Sequence, residues 1–280
     1  DIKSTSQLFP PFFASSDLCF TPNLCCSSMI ASPSFLKLIF FWNKECVPII
    51  RSVFEKFNLD VPVELTSFGS EVNGAGMGGS SSFTNALIAS ILKMQGKSRS
   101  NYEIAAYSCE IEIDVLNKPI GKQDQYLTAL GGINFLKFSK DGKVENIYDF
   151  NESQTNEFKN YINSLVLVKT NINRKADKVL KKIMISQDDS SKQIMEIRDS
   201  ANIFLQQLNL KGSIDFQLLD SLINKSWEKK RTLPSVLNTK IADLENFLRQ
   251  QDLYMIKLLG AGGGGNFLCR PKKDKDLFIN

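Results

Sequence analysis

The sequence predicts an α+β fold organised in two halves. With 280 residues, of which 42% are hydrophobic and 23% are charged, the chain has the composition of a globular protein and is long enough for one large or two modest domains. Strand patterns alternate with helical patterns along both halves, and the polar stretch 151–160 lies between them. We therefore expect an unassigned, divergent segment over residues 1–46, an N-terminal domain over 47–155 and a C-terminal domain over 156–280.

In the first half, a helix and a strand lead into a glycine-rich segment, and two helices follow it. Apolar residues recur at helical spacing over 49–57, and residues 61–68 have the pattern of a strand. The glycine-rich segment Gly-Ala-Gly-Met-Gly-Gly-Ser-Ser-Ser occupies 74–82. Helices are predicted over 83–94 and from a Ser-x-x-Glu capping box at residue 100 to about residue 116.

The second half mixes short strands with longer helical patterns. A strand is predicted over 131–138, with a turn at 140–143. The remaining predicted elements are a strand at 165–169, helices near 172–186, 190–208, 214–230 and 239–250, and a strand at 254–259. That last strand leads into a second glycine-rich segment, 259–265.

Composition excludes several classes of protein. The chain has no histidine, which excludes Ser-His-Asp hydrolysis, His-paired cysteine chemistry, most zinc catalysis and the protein-kinase catalytic loop. Four of the six cysteines lie within residues 1–46 without a Cys-x-x-Cys pair, which favours reduced thiols in a cytoplasmic protein. The net charge of +4 comes from basic residues that are interspersed with acidic ones rather than gathered in one stretch, so we expect no nucleic-acid partner.

The apolar run 35–42 is too short to span a membrane, and we expect a buried strand there.

The first glycine-rich segment is predicted to hold nucleotide phosphates at a helix N-terminus. Gly74, Gly76 and Gly79 match the spacing of a dinucleotide-binding fingerprint, but that fold needs a second strand after the helix, and a second capped helix follows instead. A Walker loop needs a lysine after its last glycine, where Ser80 stands. A flexible linker is disfavoured because apolar elements flank the segment on both sides.

The segment resembles the phosphate loop of the GHMP kinases, which has the form Pro-x-x-x-Gly-Leu-Gly-Ser-Ser. Further stretches that resemble this family, in the same order, are residues 80–84, 118–126, 131–135, 174–176, 227–230 and 257–265. The resemblance covers about residues 48–270 and is strongest to members that act on heptose 7-phosphate. It implies the two-domain GHMP kinase fold, with a ribosomal protein S5 domain 2-like N-terminal half and a ferredoxin-like C-terminal half. The family's first motif is not found in residues 1–50, and the chain ends at Asn280, soon after the second glycine-rich segment, where relatives usually continue. We therefore expect this fold to be incomplete at both ends.

The resemblance also implies binding sites for ATP and Mg²⁺. The residues implied for ATP are Gly74, Gly76, Gly78, Gly79, Ser80, Ser81, Ser82, Gly262 and Gly263. Ser80 and Glu112 are implied as metal ligands, since Mg²⁺ prefers oxygen ligands. Structural alternatives stay open: the serines could cap the helix, Glu112 could belong to a solvated acidic face, and the second glycine segment could be a tight turn.

For catalysis, the resemblance implies Asp124 and Lys122. Asp124 would accept, or electrostatically guide, the proton of the acceptor hydroxyl. Lys122 would neutralise phosphate charge, and Arg174 and Gln125 are implied as substrate contacts; for the lysine and the arginine, ordinary surface charge is the alternative.

The expected activity is ATP-dependent phosphorylation of the anomeric hydroxyl of a heptose 7-phosphate. The alternatives are a catalytically impaired nucleotide-binding protein of the same fold, or a fragment of one, and a GHMP kinase with another small-molecule acceptor. The expected partners are ATP and a sugar phosphate, with neither nucleic acid nor membrane, and a homodimer is also considered.

Overall fold

The computed structural model describes residues 30–32, 46–61, 63–66, 76–172 and 176–279. Their contacts divide them into two units, with the change after Gly132; Gly76 is grouped with the C-terminal unit. This division lies earlier along the chain than the predicted boundary after residue 155, which stays a prediction. The strand expected over 35–42 lies outside the described residues.

The N-terminal unit is mainly helical. Its elements are β1 (Ile30–Ser32), α1 (Cys46–Lys56), β2 (Glu64–Thr66), α2 (Gly79–Met94), α3 (Asn101–Cys109), a π-helix (Glu110–Val115) and α4 (Gln123–Leu130). Strands β1 and β2 pair in antiparallel fashion. One apolar cluster, formed by Ile49, Val53, Leu87, Ile88, Ile91, Leu92 and Ile111, joins α1, α2 and the π-helix. The helices predicted on either side of the first glycine segment are thereby confirmed.

The second helix after the glycine segment begins as predicted but changes its winding before it ends. Ser100 and Glu103 form the expected capping box, with the Glu103 N–H donating to Ser100 Oγ at 3.3 Å and the Ser100 N–H donating to Glu103 Oε2 at 2.8 Å. The α-helical winding ends at Cys109, and a π-helix continues to Val115. Its wider turn is marked by the Leu116 N–H, which bonds to the Ile111 carbonyl oxygen at 3.0 Å. Such turns are often found at functional sites.

The C-terminal unit contains a hairpin, a three-stranded sheet and six helices among its described residues. Its elements are β3 (Leu136–Phe138), β4 (Val144–Asn146), α5 (Glu152–Asn163), β5 (Val166–Lys169), α6 (Ala176–Ile185), α7 (Gln187–Lys211), α8 (Phe216–Lys230), α9 (Thr239–Arg249), β6 (Leu253–Leu258), β7 (Asn266–Pro271) and α10 (Lys275–Ile279). The sheet has the antiparallel order β5-β7-β6. The strand predicted over 131–138 begins only at Leu136, because Gly131 and Gly132 have positive φ angles of 65° and 64°.

The main core of the C-terminal unit lies between this sheet and its helices. Trp227 of α8 is fully buried in it, and its indole N–H donates to Glu245 Oε1 of α9 at 2.9 Å. Arg249 donates to the same carboxylate oxygen at 2.8 Å, which compensates the buried charge. Trp227 therefore has a packing role in the family-like stretch 227–230.

The second glycine-rich segment forms the turn between β6 and β7, and its glycines are needed for close packing. A Cβ added to Gly262 would lie 2.7 Å from Val236 Cγ1, and one added to Gly263 would lie 3.1 Å from Val179 Cγ2. Within the same unit, a Cβ added to Gly76 would lie 2.7 Å from the Cα of Gly260. These distances leave no room for side chains.

Cys109 and Cys269 are expected to resist alkylation in the folded protein. Both are buried, and burial raises the pKa of each thiol to about 12. Because the thiolate is the reactive form, each has about a thousandfold less of it at pH 8 than an ordinary thiol. Iodoacetamide labelling followed by peptide mass spectrometry should modify both residues in urea and leave them unmodified without it. Equal labelling rates under the two conditions would contradict this burial.

No helix within the described ranges combines the length and the apolar character needed to cross a membrane.

Candidate active site

The N-terminus of α2 is open and is approached by α4. Gly78 is the N-cap residue, with a left-handed φ of 71°, and no side chain caps the helix. A Cβ added to Gly78 would lie 3.1 Å from Thr128 Cγ2 and 3.6 Å from Asp124 Cβ. The structure therefore brings Asp124 beside the last turn of the glycine segment. A helix N-terminus carries partial positive charge and suits an anionic ligand.

Ser80 and Glu112, predicted as metal ligands, are in direct contact. The Ser80 hydroxyl donates to Glu112 Oε2 at 2.8 Å. The Glu112 side chain is fully buried on the π-helix, whereas Ser80 is exposed. Burial of a carboxylate is costly unless it is paired, and here Lys118 supplies the counter-charge, with its Nζ 2.9 Å from Glu112 Oε2. The alternative of a solvated acidic face for Glu112 is wrong, because that side chain has no exposure.

Buried amides hold this arrangement in place from α2 and α4. Gln125 is fully buried, and its Nε2 lies 3.4 Å from Glu112 Oε1. The Asn85 side-chain amide donates at 2.8 Å both to the Gln125 carbonyl and to Thr128 Oγ1. Thr128 in turn donates to the Asp124 carbonyl at 2.7 Å. The same network thus positions the carboxylate of Glu112 and the backbone of Asp124.

The other residues predicted to contact the nucleotide differ in whether their polar groups are available to a ligand. Gly79 and Ser80 open the first turn of α2, where backbone N–H groups point out of the helix. Ser81 and Ser82 are buried, and the Ser82 N–H donates to the Gly78 carbonyl at 2.9 Å, so in this structure it serves the helix itself. This is an ordinary backbone bond of the helix; no side chain caps α2, so the alternative that the serines cap the helix is not supported.

The remaining predicted residues fall into four groups. Gly74 and Arg174 lie outside the described residues. Gly262 and Gly263 are buried in the turn described above, where Gly263 donates to the Val236 carbonyl at 2.8 Å. Lys122 is exposed at the N-cap of α4. Gln125 supports Glu112, and its contact with a substrate, like the nucleotide role of the two glycines, stays a prediction.

The donor set fits Mg²⁺, although it is small. Mg²⁺ binds oxygen at about 2.0–2.1 Å in octahedral geometry, which places neighbouring ligands about 2.9 Å apart. The 2.8 Å between Ser80 Oγ and Glu112 Oε2 matches that spacing. Among the described residues, no group of three or more acidic, cysteine or histidine side chains could hold a metal. Such a site is typical of Mg²⁺ held by one carboxylate together with phosphate oxygens and water.

Sequence reasoning missed Lys118, Asn85 and Thr128 as parts of this site. Lys118 lies in the family-like stretch 118–126, but nothing in its spacing indicates that its ammonium group reaches Glu112. Asn85 follows Ser80 by five residues on α2, and a polar residue at that position on an apolar helix was a signal that could have been used.

Comparisons with known proteins find similar kinases. Residues 45–132 match the GHMP kinases N terminal domain. The chain is 28% identical over 253 residues to D-glycero-alpha-D-manno-heptose 7-phosphate kinase of Campylobacter jejuni, covering 85% of this chain and 72% of the relative. It is 24% identical over 248 residues to mevalonate kinase of Thermococcus onnurineus, covering 84% of this chain and 67% of that relative. A solved D-glycero-D-manno-heptose 1-phosphate kinase from Bacteriodes thetaiotaomicron matches with a TM-score of 0.61 and 20% identity, over 83% of this chain and 66% of that structure.

The matching domain and the two curated relatives indicate a kinase of the class that transfers phosphate from ATP to a small-molecule alcohol. Through residues 45–132, the chain is similar to the GHMP kinases. It spans about two thirds of the length of the solved heptose kinase that it resembles.

Proposed function

We propose that this chain phosphorylates the anomeric hydroxyl of a heptose 7-phosphate at the expense of ATP. The observation that carries the proposal is the convergence of Ser80, Glu112 and Asp124 around the open N-terminus of α2. The choice of acceptor is supported by the relative from Campylobacter jejuni, which is named for heptose 7-phosphate. A ferredoxin-like C-terminal half is supported by the antiparallel sheet β5-β7-β6, and a cytoplasmic location and a homodimer stay predictions.

Phosphoryl transfer requires positioning and charge stabilisation more than covalent work by the protein. The anomeric oxygen forms a bond to the γ-phosphorus, the bond from that phosphorus to the β–γ bridging oxygen breaks, and ADP leaves with the electron pair. The hydroxyl proton passes to the Asp124 carboxylate, or to solvent if Asp124 only guides it. Backbone N–H groups at the start of α2 orient the phosphates of ATP.

Ser80 and Glu112 would hold Mg²⁺ at this site. When bound, Mg²⁺ neutralises charge on the transferring phosphate. Gln125 keeps the Glu112 side chain in place from within the core, so the carboxylate need not reorganise when the cation arrives. Lys122, at the exposed start of α4, would add positive charge near the phosphates.

A catalytically impaired nucleotide-binding protein is the second candidate. It is favoured by the position of Lys118, whose ammonium group contacts both Ser80 Oγ and Glu112 Oε2, the two atoms proposed to bind the metal. An active enzyme must accommodate both cations or displace one of them.

ADP release in the presence of Mg-ATP tests both candidates. We expect turnover with D-glycero-D-manno-heptose 7-phosphate and at least about tenfold lower kcat/KM with galactose or mevalonate, because each mismatched contact changes transition-state binding by 1 kcal/mol or more. ATP binding without turnover on any acceptor would favour the impaired protein. A higher kcat/KM with mevalonate or galactose than with the heptose 7-phosphate would show that the proposed acceptor is wrong.

A further inference from the structure

The ammonium group of Lys118 contacts two oxygen atoms of the candidate metal site. Lys118 Nζ lies 3.0 Å from Ser80 Oγ and 2.9 Å from Glu112 Oε2. Those two oxygens are themselves 2.8 Å apart. The three atoms therefore form a closed triangle, and a metal ion bonded to both oxygens at about 2.1 Å would lie only about 1–4 Å from the ammonium nitrogen.

The backbone next to the π-helix places Lys118 in this position. The Lys118 N–H donates to the Glu112 carbonyl at 3.0 Å, and the preceding Asn117 has a positive φ of 49°. This tight turn brings Lys118 close to the carboxylate of Glu112, six residues earlier in the sequence. The Lys118 side chain is 20% exposed to solvent, whereas the Glu112 side chain is fully buried. The ammonium group can therefore move toward solvent, whereas the carboxylate stays fixed.

We propose that Lys118 is an internal cation that neutralises Glu112 in the metal-free protein and must leave when a divalent cation binds. The proposal rests on the proposed function for the identity of the two metal ligands. A buried carboxylate without a counter-charge is strongly unfavourable, so Lys118 stabilises the empty site. An ammonium group and a divalent cation about 3 Å apart repel each other strongly in a partly buried site. Lys118 thereby lowers the affinity for metal and links its binding to a side-chain movement.

Metal binding without nucleotide tests this role directly. We expect Lys118→Met to bind Mn²⁺, monitored by electron paramagnetic resonance, at least about tenfold more tightly than the wild type, since the competing charge is removed. Lys56→Met is the matched control. Lys56, at the end of α1, makes a 2.6 Å ion pair with Glu110. Glu110 lies on the same π-helix as Glu112 but is not a proposed metal ligand. The replacement of Lys56 should therefore leave the Mn²⁺ affinity unchanged.

A second measurement uses the wild-type protein and does not depend on the variant being folded. Acetylation of lysines by an N-hydroxysuccinimide ester, mapped by mass spectrometry after chymotrypsin digestion, should proceed at least about threefold faster at Lys118 when Mg²⁺ is added, because a released amine is more accessible. Acetylation of Lys56 should not change.

Three results would overturn the proposal: Mn²⁺ affinity in Lys118→Met equal to or weaker than in the wild type, Lys118 acetylation that does not respond to saturating Mg²⁺, or no Mn²⁺ binding by either protein. None of these measurements involves a sugar or turnover. A failure of the proposed heptose kinase activity is therefore distinguishable from a failure of the role proposed for Lys118.

Discussion

Replacing Asp124 by asparagine is expected to lower kcat by about 10²–10⁴-fold, the range usual for loss of general acid–base assistance. Asparagine keeps the shape of the side chain but lacks the negative charge that attracts the hydroxyl proton. The affinity for ATP should change by no more than about twofold, since an interaction made mainly in the transition state affects kcat. Steady-state kinetics with Mg-ATP and heptose 7-phosphate, together with calorimetric titration of ATP, measure the two quantities.

Asp114→Asn provides the matched control for this experiment. Asp114 is an exposed carboxylate on the π-helix, two residues from Glu112, and its replacement changes the net charge by the same amount. Its kcat should stay within about twofold of the wild type. If Asp124→Asn behaved like this control, Asp124 would have no part in the chemical step.

Replacing Gly262 by alanine is expected to destabilise the protein by about 2–5 kcal/mol. Gly262 has a φ of +92°, which costs a residue with a side chain about 1–2 kcal/mol. The new Cβ would also lie 2.7 Å from Val236 Cγ1 and 2.9 Å from Val236 Cα. Because one of these atoms belongs to the backbone, relief requires the turn itself to move, which adds about 1–3 kcal/mol. Thermal unfolding should show a fall in Tm of about 4 °C or more.

Gly142→Ala separates the two causes of this effect. Gly142 has nearly the same φ, +88°, but nothing lies within 4 Å of its added Cβ. This variant should therefore show only the conformational cost of about 1–2 kcal/mol, with a smaller fall in Tm than Gly262→Ala. Equal losses in the two variants would show that the contact with Val236 does not limit the space at Gly262.

Local signals predicted much of this fold. The capping box at Ser100 marked the start of α3 correctly, since its two hydrogen bonds depend only on residues three apart. The apolar spacing of α1 predicted the helix whose Ile49 and Val53 enter the N-terminal core. The pairing of Ser80 with Glu112 came from family resemblance, and the structure brings these two side chains together.

Other features depend on contacts that no local pattern encodes. The π-helix has no known sequence signature in 110–115, and its wide turn becomes favourable only with Ile111 and Glu112 buried. The position of Lys118 likewise depends on the turn that follows this helix. The strand predicted over 131–138 failed in its first part because glycine is compatible with both extended and left-handed backbone.

The π-helix also sets a limit on changes in chain length near the site. Its hydrogen bond from Leu116 to Ile111 encloses one residue more than an α-helical bond would. Removing one residue within 110–115 would let ordinary α-helical winding replace the wide turn while the backbone on either side stays close to its present place. The change would therefore fall on the residues of the turn itself, including Glu112, whose carboxylate would point in a new direction. The extra residue of the π-helix thus sets the direction of the carboxylate rather than the distance along the chain to Asp124.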